Sequence, residues 1–147
     1  LRIAIGSDHR GWRLKERLRG MLEEGGHEVI DVGCTDETST DYPDYAFSAA
    51  EMVGGGEVER GIVVCGSGIG MSIAANKVRG VRAALCRTTE DARASRIHND
   101  ANVLALSEGT FDNPELAELV RIWLETPFEG GRHLRRINKI SAYEDRN

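Results

Sequence analysis

One thiol, two histidines and a pair of arginines are the side chains in this sequence best placed to do chemistry. Cys65 ends the apolar run Ile62-Val63-Val64 and is followed at once by Gly66-Ser67-Gly68-Ile69-Gly70. A short strand passing through a glycine loop into a small-residue helix exposes backbone N–H groups at the positive end of the helix dipole. Such a place holds an anion, a phosphate or a developing oxyanion, and it favours a thiolate beside it. A thiolate can remove a proton or attack carbon. Read alone, a cysteine closing an apolar strand is also a small buried hydrophobe, and three glycines are also a tight turn. Cys34 and Cys86 lack these surroundings and read as packing residues.

The other candidates are weaker taken singly. Asp8 and His9 stand on the turn after the first strand, where capping alone would explain the aspartate. His98-Asn99-Asp100 falls between a helix and a strand and reads as a turn. Arg132 and Arg136, four residues apart, share one helix face. Beside Gly130-Gly131 they form either a phosphate clamp or a solvated basic face. The glycine loop itself is not a dinucleotide fingerprint: Gly66 and Gly68 fit G-x-G-x-x-G, but the last position is Met71. It lacks the G-K-[ST] of a Walker loop, and Met71 stands where a thiol phosphatase needs arginine.

The elements that must position these groups follow from periodicity. Apolar runs predict strands over 2–6, 28–32, 62–65, 81–85 and 102–106. Leu14, Leu18, Met21 and Leu22 define one face of a helix over about 11–24. Further helices are expected from Pro43 to Val53, through Ser72 to Asn76, from Thr88 or Thr89 to about Ile97, from Asn113-Pro114 to the Thr126-Pro127 stop, and over 132–145. Strands alternating with helices at this spacing predict an α/β fold with a parallel sheet covered on both faces. Ligands of such sheets bind at the carboxyl ends of the strands. Three polar stretches are expected there: Asp8-His9, Cys65 to Gly70, and the segment around His98-Asn99 ahead of the fifth strand.

Composition narrows the classes. With 147 residues the chain makes one domain with a real core. A net charge of −5 without an extended basic stripe argues against nucleic acid. No run approaches the roughly 18 apolar residues of a membrane span. The chain opens directly into a strand, so no signal peptide is expected. Three widely spaced cysteines fit neither a disulfide framework nor a zinc knuckle and point to a reducing cytoplasm.

Five stretches in order join these signals: GSDHRGWRLKERL at 6–18, TDYPDYA at 40–46, GIVVCGSGIGMSIAANKVRGVRAALC at 61–86, SRIHNDANVLAL at 95–106 and PFEGGRHLRRINKI at 127–140. Through them the chain resembles, over nearly its full length, the ribose-5-phosphate isomerase B family, which includes the galactose-6-phosphate isomerase subunits. The resemblance implies a three-layer α/β/α Rossmann-like fold with a five-stranded parallel sheet and an extra C-terminal helix. It implies reversible aldose–ketose isomerisation of a sugar phosphate through a cis-enediolate, with no metal and no organic cofactor. Cys65 matches the base, and Ser67 the hydroxyl that moves protons between the two oxygens. The backbone of Gly66, Gly68, Ile69 and Gly70 matches the cradle for the enediolate oxygen. By the same match His98 opens the sugar ring, Asp8 holds a ring hydroxyl, and Asn99 binds the enediolate or a hydroxyl. His9, Arg132 and Arg136 match the phosphate ligands. Members of the family are homodimers or homotetramers with shared sites.

One position departs from the pattern. After the fifth strand the family usually carries an arginine at the phosphate end, and this chain has Gly109, with Glu108 beside it. The expected substrate is ribose 5-phosphate. The rivals are the same chemistry on a tetrose or hexose phosphate, and a phosphate- or flavin-binding module without catalysis.

Overall fold

In the computed structural model, which describes residues 1–146, five parallel strands make one sheet. The chain runs β1 (Arg2–Ser7), α1 (Trp12–Glu24), β2 (Glu28–Gly33), α2 (Tyr42–Gly54), β3 (Arg60–Cys65), α3 (Ile69–Ala75), β4 (Ala83–Leu85), α4 (Thr89–Ile97), β5 (Val103–Ser107), α5 (Leu116–Glu125) and α6 (Arg132–Asp145). Short 3-10 turns at His9–Gly11 and Glu108–Asp112 follow β1 and β5. The strand order is β2-β1-β3-β5-β4, so β3 and its terminal cysteine lie at the centre.

Alternation along each strand divides the core in two. Ile3, Ile5, Ile62, Val64, Leu104 and Leu106 pack against α1, α4 and α5 through Leu14, Leu18, Ala92, Leu119 and Trp123. Ala4, Val63, Cys65, Val103 and Ala105 face α2 and α3, meeting Ala46, Ala49, Ala50, Met71 and Ala75. The side of small residues lets α2 and α3 approach closely, and it is the side on which the Cys65 thiol sits. The result is the three-layer α/β/α fold expected from the sequence.

Three of the boundary differences have a local cause. β4 has three residues rather than five, because Asn102 Oδ1 accepts the Arg82 N–H (2.7 Å) and Asn102 N–H donates to the Arg82 carbonyl (3.0 Å), ahead of the ladder. The helix expected from Pro114 begins at Leu116, since Asn113 Oδ1 and its carbonyl take the N–H groups of Glu115 and Leu116 in a turn. The first helix is preceded by a 3-10 turn capped by Asp8. Along α6, His133 and Ile137 are buried, while Leu134, Ile140 and Tyr143 are exposed.

Candidate active site

Cys65 is brought to the carboxyl edge by a fully buried strand and is itself 4 % exposed. Immediately beyond it the chain reverses. Gly68 adopts φ 79°, the left-handed region where a side chain is disfavoured. A Cβ there would also stand 2.6 Å from Leu85 Cδ1 and 2.9 Å from the Leu106 carbonyl carbon. This reversal aims the Gly68 N–H back at the thiol, where it donates to Cys65 Sγ at 3.2 Å. The contact fixes the direction in which the sulfur points. Ser67 is exposed, and its Oγ accepts the Ile69 N–H at 3.1 Å. Two of the loop's N–H groups therefore serve the loop's own side chains.

β1 delivers Asp8 and His9 to the same edge: Ser7 pairs in register with Val64 of β3, and Asp8 N–H donates to the Val64 carbonyl (3.2 Å). Asp8 is 5 % exposed, and its Oδ1 accepts from both Arg10 and Gly11 N–H at 3.0 Å. It is a cap first. His9 and Thr40 are reciprocally paired: His9 N–H donates to Thr40 Oγ1 (3.0 Å), and Thr40 N–H donates to His9 Nδ1 (3.1 Å). A backbone N–H can only donate, so Nδ1 is the unprotonated nitrogen and Nε2 carries the hydrogen. His9 thus offers the site a neutral donor.

Three further side chains at this edge carry no signal strong enough for the sequence to single them out. The Arg10 guanidinium lies over Gly66, with Cζ 2.9 Å from where a Cβ would stand. The Tyr42 ring lies over Gly70 in the same way, at 2.6 Å. Ser107 Oγ donates to the Gly66 carbonyl (2.8 Å) and accepts from Gly109 N–H (3.2 Å), tying the loop to the turn after β5. Their only trace in the sequence is adjacency: Arg10 follows His9, Tyr42 sits in TDYPDYA, and Ser107 ends an apolar run.

His98 and Asn99 lie elsewhere, which corrects the expectation that they join the other groups at the carboxyl edge. They precede β5, and in a parallel sheet that is the amino edge. Asn99 and Asp100 carbonyls accept from Arg82 Nε at 3.1 and 3.0 Å, ahead of β4. Asp100 holds the left-handed φ of 47° and pairs with Arg96 (2.9 Å) and Arg82 (3.3 Å), which fixes the turn. The amino edge is marked by Gly61 N–H donating to the Asn102 carbonyl, and Cys65 lies four residues further, about 13 Å along the strand. Within one chain His98 does not reach the thiol.

The start of α6 joins His98 instead. The His98 and His133 rings are 4.7 Å apart between centroids and tilted by 33°. Burial, then the neighbouring His98, pushes the His133 imidazole below its ordinary value. Arg132 and Arg136, both exposed, flank His133 on this helix. The twelve candidates therefore form two groups: Asp8, His9 and Cys65 to Gly70 at one edge, and His98, Asn99, Arg132 and Arg136 at the other.

The remaining cysteines behave as packing residues. Cys86 is 1 % exposed, and burial pushes its thiol up to about 11. Cys34 is buried with its Sγ 3.8 Å from Ser7 Oγ. Among the described residues no cluster of His, Cys, Asp or Glu has the makeup of a metal site, and no helix is long and apolar enough to cross a membrane.

A doubly covered parallel sheet with a hydrogen-bonded thiol at its central strand end, and a histidine donor beside it, defines an α/β enzyme suited to moving a proton on a small polar substrate. Comparison with known proteins gives the family. The sequence model of the ribose/galactose isomerase family matches residues 3–140, and the chain belongs to that family. The chain is 46 % identical to ribose-5-phosphate isomerase B of Escherichia coli, across 99 % of this chain and 97 % of that one. It is 42 % identical to D-erythrulose-4-phosphate isomerase of Pectobacterium atrosepticum, across 98 % and 95 %. The fold superposes on the ribose-5-phosphate isomerase B structure of Clostridium thermocellum with a TM-score of 0.96 at 49 % identity, covering 99 % of both chains.

Proposed function

We propose that this protein interconverts D-ribose 5-phosphate and D-ribulose 5-phosphate, with Cys65 as the base and the site completed by a second copy of the chain. The observation that carries the reading is the Gly68 N–H held 3.2 Å from Cys65 Sγ, which fixes the sulfur at the carboxyl edge beside the glycine loop. The thiolate takes the proton from C2 of the open-chain aldose. The C2–H electron pair becomes the C1–C2 double bond, and the carbonyl π pair moves to O1 as the enediolate charge. The loop N–H groups not already engaged by Cys65 and Ser67 face that charge; losing one such donor typically costs about 3 kcal/mol. Ser67 Oγ passes a proton between O2 and O1, and the thiol returns its proton to C1.

Ring opening needs an acid near the same sugar. His98, with Asn99 at its side, serves the site of a neighbouring copy, and Arg132 and Arg136 reach its phosphate end. The separation of the two residue groups across the sheet supports this. So do the exposed Ile140 and Tyr143 of α6, large apolar side chains that a second copy would cover. Whether two or four copies assemble does not alter the pairing.

The same chemistry on a tetrose phosphate is the second reading. Gly109 is exposed and adds no side chain to the phosphate end, which leaves the length of the substrate less constrained there. A kinetic panel of tetrose, pentose and hexose phosphates with one enzyme preparation separates the two. The highest kcat/KM is expected for ribose 5-phosphate, and turnover confined to tetroses or hexoses would overturn that substrate while leaving the mechanism.

A further inference from the structure

A cavity of about 430 Å³ opens at the carboxyl edge next to the Cys65 loop, lined by His9, Arg10, Arg13, Glu37 and Glu108. Three arginines reach toward this side at steps of three and four: Arg10, Arg13 and Arg17. Two of them are committed. Arg13 Cζ lies 3.9 Å from the centroid of the Phe111 ring and Arg17 Cζ 5.1 Å from it, and Arg17 also donates to the Phe111 carbonyl. Together they pin the turn after β5 onto α1.

Arg10 is different. Its guanidinium makes no hydrogen bond or ion pair among the described residues. It is exposed and lies over the Gly66 backbone. Asp8 fixes the backbone it springs from, and the missing side chain of Gly66 leaves room for the guanidinium above the loop, with Nε and Nη1 both 3.0 Å from where a Cβ would stand. It stands on the same turn as His9, whose Nε2–H is the neutral donor.

We propose that Arg10 binds the phosphate of the sugar phosphate, its planar fork supplying paired charge-assisted hydrogen bonds beside His9 Nε2–H. The proposal rests on the sugar-phosphate reading of the site. Charge counting in the cavity supports it. Within one chain Arg10 and Arg13 balance Glu37 and Glu108 with His9 neutral, and without Arg10 that lining carries net −1 before any arginine of a neighbouring copy is added. Arg10 is thus the cation by which one chain offsets its own carboxylates at this cavity.

The test is Arg10→Ala. KM for ribose 5-phosphate should rise about tenfold or more with kcat held within about threefold, since phosphate contacts contribute mostly uniform binding. Competitive inhibition by inorganic phosphate should weaken in parallel. Arg10→Lys, which keeps a cation at this position, should recover part of both losses, while the uncharged Arg10→Gln should recover neither, a split that a merely structural role for Arg10 would not give. An unchanged KM, or a raised KM with unchanged inhibition by inorganic phosphate, would overturn the assignment. Calorimetric titration of wild type and Arg10→Ala with inorganic phosphate separates this from failure of the activity reading. If wild type turns over no sugar phosphate, weaker phosphate binding by the variant still supports the anion site, and equal binding removes it.

Discussion

Cys65→Ala and His98→Ala variants of this protein should each be inactive alone and active together. Proton transfer needs the catalytic groups within about 3 Å of the atoms they serve. In one chain the thiol and His98 are at opposite sheet edges, with about 13 Å of β3 alone between their levels. If each site takes Cys65 from one copy and His98 from another, a mixed dimer holds one site with both substitutions and one with neither. Co-expression in equal amounts makes about half of the dimers mixed, and half of their sites intact, so about a quarter of wild-type activity per site is expected. Loss of an acid or base typically costs 10²–10⁴-fold, so a quarter stands far above either variant. The assay is ribose 5-phosphate turnover by purified co-expressed protein carrying a different affinity tag on each variant, isolated by both tags in succession to obtain the mixed species alone. That species should retain about half of wild-type activity. Activity of the mixed species no higher than that of the separate variants would refute a site shared between copies.

Other expectations follow from individual contacts. Cys65→Ala should reduce isomerisation to background while binding of ribulose 5-phosphate by calorimetry stays within about threefold of wild type; near-wild-type turnover would remove the thiol as base. In a ¹⁵N-histidine spectrum near pH 8, His9, assigned by its loss in His9→Gln, should be the tautomer protonated at Nε2, because Nδ1 accepts the Thr40 N–H at 3.1 Å; an Nδ1–H signal would break that pairing. Cys86 loses its proton at about 11 in the fold against an ordinary value of 9.0, so the unfolded chain releases that proton first as pH rises. Its contribution is full below pH 9, declines between 9 and about 11, and is worth on the order of 2 kcal/mol. Urea unfolding across that range should be flatter in Cys86→Ala than in wild type, and parallel profiles would exclude the thiol as the cause.

Much of the fold is written locally. The runs around Ile3 and Ile5, Ile62 to Val64 and Leu104 to Leu106 are apolar on both faces, as strands covered on both sides must be. The site is legible where the chemistry belongs to consecutive residues, as at Cys65 to Gly70. It is less legible where tertiary approach decides. Nothing local says that Arg10 and Tyr42 come to lie over Gly66 and Gly70, since the chain between them folds through β2 and α2 first. His98 is a separate case. Chain direction already places any residue ahead of a parallel strand at the amino edge, and grouping it with Cys65 overlooked that geometry rather than lacked a signal.

The glycines of the loop take on a different meaning when their neighbours are known. A Gly-rich stretch before a helix invites the reading that its open backbone exists to cradle a phosphate. Here the space of each missing side chain is already occupied by the protein: Arg10 at Gly66, Leu85 and Leu106 at Gly68, Tyr42 at Gly70. The backbone approach of Leu106 and the positive φ require glycine at Gly68, while at Gly66 and Gly70 the glycines make room for the Arg10 and Tyr42 side chains. The N–H groups that the reversal at Gly68 exposes go first to Cys65 Sγ and Ser67 Oγ. The loop is then best understood as a device for holding a sulfur and a hydroxyl in fixed orientation at the end of the central strand, where reorganisation during proton transfer would be costly. With those N–H groups engaged by the loop's own side chains, the glycine pattern by itself does not identify a phosphate site.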